Sequence, residues 1–309
     1  MNGQSKLKIF LAFAAVYIIW GSTYVVVIIC LRSIPPFVMT AFRFLVAGIM
    51  LYLWSRFSGE ARPRSQSLRR NIIAGILMLF GGTVSVAWAE QYLSSSLAAI
   101  IVTSVPFWFI LLDKKQWSFY LKNKIIFAGL LLGAAGVCIL VGFNESHTNA
   151  TQLVGMNVYA VFVIIAGGIA FTIGSLYSKY NPANDSVIMN GSIQLISAGL
   201  FTLMVSIISG EWDSYRFSNT GTNEWSGLLY LIVMGSVVTY ISYLWLLKIR
   251  PAAQVTTYVY VNPVVAVLLG ALIANEQITW LQIIALVIIL SGVLIVNRVR
   301  YKAALELRS

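Results

Sequence analysis

Charge is what this chain has least of: 10% of its 309 residues are Asp, Glu, Lys or Arg, against 59% that are hydrophobic. Soluble domains carry about a quarter of their residues charged, so this composition excludes an ordinary water-soluble globule. Histidine is reduced to His147, which removes any His-based metal site or proton relay. The two cysteines, Cys30 and Cys138, fall in or at the ends of apolar stretches. They read as small apolar side chains, not as a disulfide framework. Only 10 acidic residues face 21 basic ones, and only Glu90 and Glu276 approach the apolar stretches. A buried carboxylate relay is therefore not visible. Nucleotide-hydrolysis motifs and metal-ligand spacings are missing as well, so no cofactor and no metal are expected.

What is there is a series of ten apolar stretches, at about 9–30, 36–55, 72–92, 95–112, 124–143, 153–178, 186–209, 225–247, 252–274 and 278–297. A helix needs about 20 apolar residues to cross the hydrocarbon core, and each stretch approaches that length. Assigning the connections alternately to two faces sorts the basic residues. Lys6, Lys8, the run Arg56 to Arg70, Lys114 to Lys124, Lys179, Lys248, Arg250 and Arg298 to Arg308 fall on one face, while only Arg32 and Arg216 fall on the other. Short basic loops stay cytoplasmic during insertion. The sequence thus predicts an all-α membrane protein of ten transmembrane helices with both termini cytoplasmic. The net charge of +11 is then explained by loop orientation and anionic headgroups, and nucleic acid is not an expected partner.

The halves of the chain resemble each other. Gly21-Ser22-Thr23-Tyr24 matches Gly174-Ser175-Leu176-Tyr177, and Arg43 with Ala47-Gly48 matches Gln194 with Ala198-Gly199. Ser85 and Trp88 match Ser242 and Trp245, and Val105-Pro106 matches Asn262-Pro263. The separations stay between 151 and 157 residues. Residues 1–145 and 150–309 therefore read as two five-helix repeats within a single transmembrane domain. An odd number of crossings inserts the second repeat upside down, giving a 5+5 inverted pair. That is the build of many secondary transporters, whose sites lie at the repeat interface near the midplane.

A run of these features resembles the drug/metabolite transporter superfamily, in its EamA-type ten-helix branch. The resemblance rests on Tyr17 to Tyr24 (YIIWGSTY), Pro35-Pro36 followed by Arg43-Phe44, Ala89-Glu90, Ala98-Ala99 before Pro106, and Tyr258 to Val267 (YVYVNPVVAV). It covers essentially the whole chain. It implies a multi-pass protein of the bacterial inner membrane that exports small metabolites or toxic compounds. It also implies a central cavity lined chiefly by spans 1, 3, 4, 6, 8 and 9.

Individual residues carry the site expectation. Arg43 lies about seven residues inside its span, roughly 10 Å at 1.5 Å per residue. A buried Arg is costly in lipid and must find a cavity or a partner, a substrate carboxylate or Glu90 on one reading and helix-end carbonyls on another. Tyr17, Trp20 and Tyr24 share one helix face by spacing, which suits stacking of an amphipathic solute or plain helix packing. Trp88 and Trp245 hold repeat-related positions that also suit a membrane-interface belt, and Tyr177 is the repeat counterpart of Tyr24. Gln254, Tyr258 and Asn262 form a polar stripe fit for a cavity or for interhelical hydrogen bonds. Pro106 and Pro263 are expected near mid-span, as paired hinges or static kinks. The function expected is secondary transport of amino-acid-like or drug-like metabolites by alternating access, with export preferred over import or flipping of a lipid-linked substrate. Protons are the candidate coupling ion and the assembly is a monomer or a homodimer. An intramembrane enzyme is the remote alternative, because no nucleophile and base pair lies at membrane depth.

Overall fold

A backbone placed in hydrocarbon must satisfy its own N–H and C=O groups, and long apolar stretches do so as helices. The computed structural model describes residues 3–93, 98, 101–118, 124–142, 156–183, 185–274 and, in the last apolar stretch, 280–281, 283–285, 287–292 and 294–295. Among these, the regular structure is helical throughout. The principal helices are α1 (Lys6–Leu31), α2 (Pro36–Phe57), α3 (Ser65–Ala89), α4 (Val105–Leu112), α5 (Lys124–Gly142), α6 (Met156–Tyr180), α7 (Val187–Ile208), α8 (Thr222–Ile249), α9 (Tyr258–Ala274) and α10 (Ile283–Gly292). Six of them, α1, α2, α3, α6, α7 and α8, are long and apolar enough to cross a membrane.

Local chemistry sets several ends. Pro36 occupies the first turn of α2, where its missing N–H costs nothing. The next two amides, Phe37 N and Val38 N, donate to Glu211 Oε2 at 2.9 and 3.3 Å. Glu211 sits just past α7, which stops at Gly210 in the left-handed conformation (φ 75°) that glycine adopts without strain. At the other end of α7, Ser186 Oγ accepts from Met189 N at 3.0 Å and caps the helix.

The Glu211 cap links two helix ends and gives a pH-dependent prediction. Burial pushes the Glu211 carboxyl above its ordinary value of 4.5, and the Phe37 and Val38 amides only partly oppose this. An acid raised in the fold favours the protonated state, so its contribution is present below that value and is lost as pH rises through the raised one. Glu211→Gln keeps an acceptor for the α2 amides without the buried charge. It is expected to be at least as heat-stable as wild type at pH 7, the two converging below the ordinary value. Glu211→Ala loses the cap and about 1 kcal/mol. Unfolding temperatures of the three proteins across pH test both statements.

Among the described helices the most extensive packing is between α2 and α7. A Cβ added to Gly48 would lie 2.8 Å from Ile196 N, and one on Gly199 would lie 2.9 Å from Leu45 N. The contact is reciprocal: Leu45 and Ile196 are separated by 151 residues, as are Gly48 and Gly199. Three helices contain wide π-helical turns, at Ala15–Ile19 in α1, Ile76–Val84 in α3 and Leu231–Val238 in α8. The last two begin 155 residues apart.

The prolines behave differently from each other. Pro106 is not a mid-helix kink: residues 103–104 form a turn, α4 begins at Val105, and Pro106 falls in its first turn. The chain breaks just before the proline, at a place where no helical hydrogen bond is lost. Pro263 does lie inside its helix, α9. The ninth apolar stretch is itself divided by a turn at 256–257, between Ala252–Val255 and α9.

Candidate substrate cavity

A cavity of about 100 Å³ lies among α1, α2, α3, α4, α6 and α9, room for several water molecules. One wall is a face of α1, with Trp20, Thr23, Tyr24 and Val27. Opposite stand Gly82, Thr83, Val86, Ala87 and Glu90 of α3, and Ile164, Gly167, Gly168 and Phe171 of α6. Val102 and Val105 close one side, Tyr258 and Asn262 of α9 another, and α2 contributes Arg43 alone. The glycines bring α3 and α6 together: a Cβ on Gly167 would collide with Ser85 Oγ and Gly81 O, and one on Gly82 with the Phe171 ring.

The polar groups of this apolar chamber are few. Arg43 is 4% exposed, and its Nε donates to Ser236 Oγ of α8 at 2.8 Å. Glu90, at the end of α3, is 8% exposed, and its Oε1 is buried without a hydrogen-bond partner. The two side chains sense each other's charge through space. The Asn262 side chain lies beside the Tyr24 hydroxyl, and Asn262 Oδ1 is likewise buried and unpartnered. A chamber with one cation and two unused acceptors presents polar groups that a solute must match, because unpaired buried polar groups are costly.

Trp20 closes the cavity through an aromatic cluster. Its ring centroid is 4.8 Å from Tyr258, 5.2 Å from Tyr243 and 6.5 Å from Phe171. The indole Nε1 donates to Gly235 O at 3.1 Å, a carbonyl within the π-helical stretch of α8. Tyr243 is anchored in turn by its hydroxyl to Ser175 Oγ at 2.9 Å. A π turn shifts the i→i−4 ladder and leaves carbonyls for side chains to satisfy, and here Trp20 takes one.

Of the residues singled out from sequence, Trp20, Tyr24, Arg43, Glu90, Tyr258 and Asn262 line this cavity. Tyr17 falls in the π-helical turn of α1 and pairs its hydroxyl with Thr257 Oγ1 at 2.6 Å. Trp88 packs on Tyr92 with centroids 5.0 Å apart, and Tyr177 and Trp245 pack half-buried against the core. Gln254 is buried outside the lining, with Oε1 unpartnered. Glu276 lies outside the described residues. The span 8 expected at the cavity wall supplies no lining residue and acts from behind, through Ser236, Gly235 and Tyr243. Ser236 and Phe171 were not legible beforehand: a Ser and a Phe in apolar text carry no signal until their neighbours are known. Among the described residues no group of His, Cys, Asp and Glu is placed to hold a metal.

Fold and site together define a multi-span helical membrane protein with an apolar, aromatic-lined internal chamber that holds a few polar groups, which is the build of a transporter. The chain belongs to the EamA-like transporter family, whose model matches residues 6–142 and 158–298. It is 32% identical over 306 residues to the uncharacterized inner membrane transporter YedA of Escherichia coli K12, spanning 97% of this chain and 94% of that protein. The uncharacterized transporter sll0355 of Synechocystis is 23% identical over 99% of this chain and 94% of its own length. The WAT1-related protein At3g02690, chloroplastic, of Arabidopsis thaliana is 25% identical over 91% of this chain and 67% of that protein. A solved crystal structure superposes with a TM-score of 0.74 over 97% of this chain and 99% of its own, at 17% identity, a likeness of fold. The family and the two bacterial relatives carry the names of transporters, not of enzymes.

Proposed function

We propose that this protein is a secondary transporter that exports small organic metabolites across the bacterial inner membrane by alternating access. The carrying observation is the cavity: a wall of aromatic and apolar side chains with Arg43 and the unpartnered Glu90 Oε1 held in it. An amphipathic solute with a charged or zwitterionic end, amino-acid-like or drug-like, matches such a chamber. Its apolar body stacks on Trp20 and Tyr258 and its polar end meets Arg43, Glu90 and Asn262. Aromatic area gives adhesion and the fixed charges give selection.

The moving parts in this reading are two inverted five-helix halves, 1–145 and 150–309. Three observations support them. The family model matches two stretches of similar length. The Gly48–Ile196 and Gly199–Leu45 contacts are mirror counterparts, the pattern of a two-fold interface. The π-helical stretches of α3 and α8 recur at the spacing of the sequence repeat. The cavity takes walls from both halves, α1 to α4 from one and α6 and α9 from the other, so rocking one half on the other re-exposes it. Where Trp20, Phe171, Tyr243 and Tyr258 cluster, the rings must part for a solute to pass. The name of the E. coli relative supports the inner-membrane assignment.

Counterflow of labelled amino-acid-like and drug-like solutes into proteoliposomes tests the reading. Saturable exchange is expected for at least one class, with loss of roughly tenfold or more in Trp20→Ala, which removes stacking worth about 1.5 kcal/mol on each side. Acceleration by an imposed pH gradient would add protons as the coupling ion. Transport sustained only towards the cytoplasmic face would favour import, and movement of lipid-linked solutes alone would favour flipping. Equal exchange by wild type and Trp20→Ala would remove the cavity from the transport path.

A further inference from the structure

A second cavity, of about 250 Å³, lies at the end of the bundle where α3 and α7 begin and α6 and α8 end. It is distinct from the first chamber: along α3 the two are lined by Arg70 and Asn71 here and by Gly82 to Glu90 there. Ten helical residues, 72–81, separate these sets, roughly 16 Å of rise. The mouth carries Arg70, Lys179 and Lys248, and no carboxylate stands among its lining residues. Arg70 donates one N–H to Pro182 O at 2.9 Å, which steadies the guanidinium and leaves it further donors. Lys179 is held by Arg250 O at 2.6 Å.

The floor is a directed chain of amides. Tyr240 Oη donates to Gln194 Oε1 at 2.5 Å, Gln194 Nε2 to Asn71 Oδ1 at 2.9 Å, Asn71 Nδ2 to Asn190 Oδ1 at 2.7 Å, and Asn190 Nδ2 to Asp185 O at 3.2 Å. The Asp185 carboxylate, outside the lining, accepts from Ser67 Oγ. Every amide oxygen of the chain is thus engaged by a donor, while each NH₂ uses one of its two hydrogens. The lining thus combines amide N–H donors in surplus over acceptors with three cationic side chains.

We propose that this second cavity is a binding site for a phosphate-type anion, either free in solution or borne by a lipid headgroup. Donor surplus, three cations and the lack of a lining carboxylate select against cations and neutral solutes and for a multi-oxygen anion that spreads its contacts. Leu244 and Leu247 give one apolar wall against which an organic remainder packs. The site is independent of the transport reading and stands or falls separately from it.

The test uses the full chain in phosphatidylcholine nanodiscs, with unfolding followed by the fluorescence of its 9 tryptophans. Inorganic phosphate is titrated against sodium chloride at matched ionic strength, and a parallel sample holds phosphatidylglycerol discs without phosphate. A saturable rise in unfolding temperature with phosphate assigns the site to a free anion, and a rise confined to phosphatidylglycerol assigns it to a headgroup. In either case Lys248→Gln and Arg70→Gln weaken the effect roughly tenfold, the loss of one charge-assisted hydrogen bond, and Arg70→Lys retains most of it. Lys248 is exposed, so its substitution leaves the unliganded unfolding temperature unchanged and keeps the comparison clean. No stabilisation beyond chloride in both arms, or stabilisation unchanged by the substitutions, overturns the proposal.

Discussion

Arg43→Met is expected to abolish transport and to weaken the fold, and the second effect is expected to be reversed by Glu90→Gln while the first is not. Arg43 is buried at 4% exposure and supplies the cavity's cation. Glu90 faces the same space at 8% exposure, with Oε1 unpartnered. Removing the cation leaves a carboxylate alone in low dielectric, a change that costs about 3–5 kcal/mol where a buried pair is broken. The Arg43–Glu90 interaction is through space, so the lower end of that range applies. The Ser236 hydroxyl also loses its donor. Neutralising Glu90 removes the uncompensated charge and returns stability, yet the chamber then has neither of its fixed charges. Counterflow should fall roughly a hundredfold in both the single and the double variant, equivalent to about 2.7 kcal/mol of solute recognition. Arg43→Lys keeps the charge without the planar fork and falls between. Counterflow and thermal unfolding on the four proteins decide it: a double variant no more stable than Arg43→Met would mean that the two groups are uncoupled.

The second large effect concerns the α2–α7 crossing. Gly48→Ala and Gly199→Ala each place a methyl group 2.8 to 2.9 Å from a backbone nitrogen, of Ile196 and of Leu45. Side chains can turn aside, but backbone cannot, so the helices must separate along much of their contact. Overpacking of this kind costs about 1–3 kcal/mol. Because the contacts are counterparts, the two substitutions should lower the unfolding temperature by similar amounts. If the halves rock about this crossing, both should also slow exchange more than they weaken solute binding. Unfolding temperatures, with rate and half-saturation of counterflow, separate the two effects. A marked drop in one variant and none in the other would break the equivalence of the halves.

The sequence itself set the helices, because the demand that determines them is local. Any apolar stretch of sufficient length must close its hydrogen bonds internally, and α1, α2, α3, α6, α7 and α8 do so close to where hydropathy placed them. Arg43 was legible for the same reason: a guanidinium inside an apolar stretch needs a wet or polar place, and it has one. Glu90 closes the third apolar stretch, where hydropathy alone allows an acid to stay exposed at a helix end, and the fold buries it.

Which side chains meet was decided only by the tertiary structure. Tyr17 shares a helical face with Trp20 and Tyr24 by spacing, but it lies in the π-helical turn Ala15–Ile19, where the wider turn changes the rotation per residue and the hydroxyl goes to Thr257. Gln254 and Tyr258 should share a stripe, but the turn at 256–257 breaks the helix between them, and only Tyr258 and Asn262 reach the cavity. Pro106 marked the right neighbourhood, and the break precedes it. The Tyr240–Gln194–Asn71–Asn190 chain joins three helices across as many as 169 residues of sequence, and no spacing announces it. Hydropathy records whether a residue prefers lipid or water. The azimuth at which a helix presents it depends on turns, glycine contacts and partner helices, which exist only once the bundle has formed.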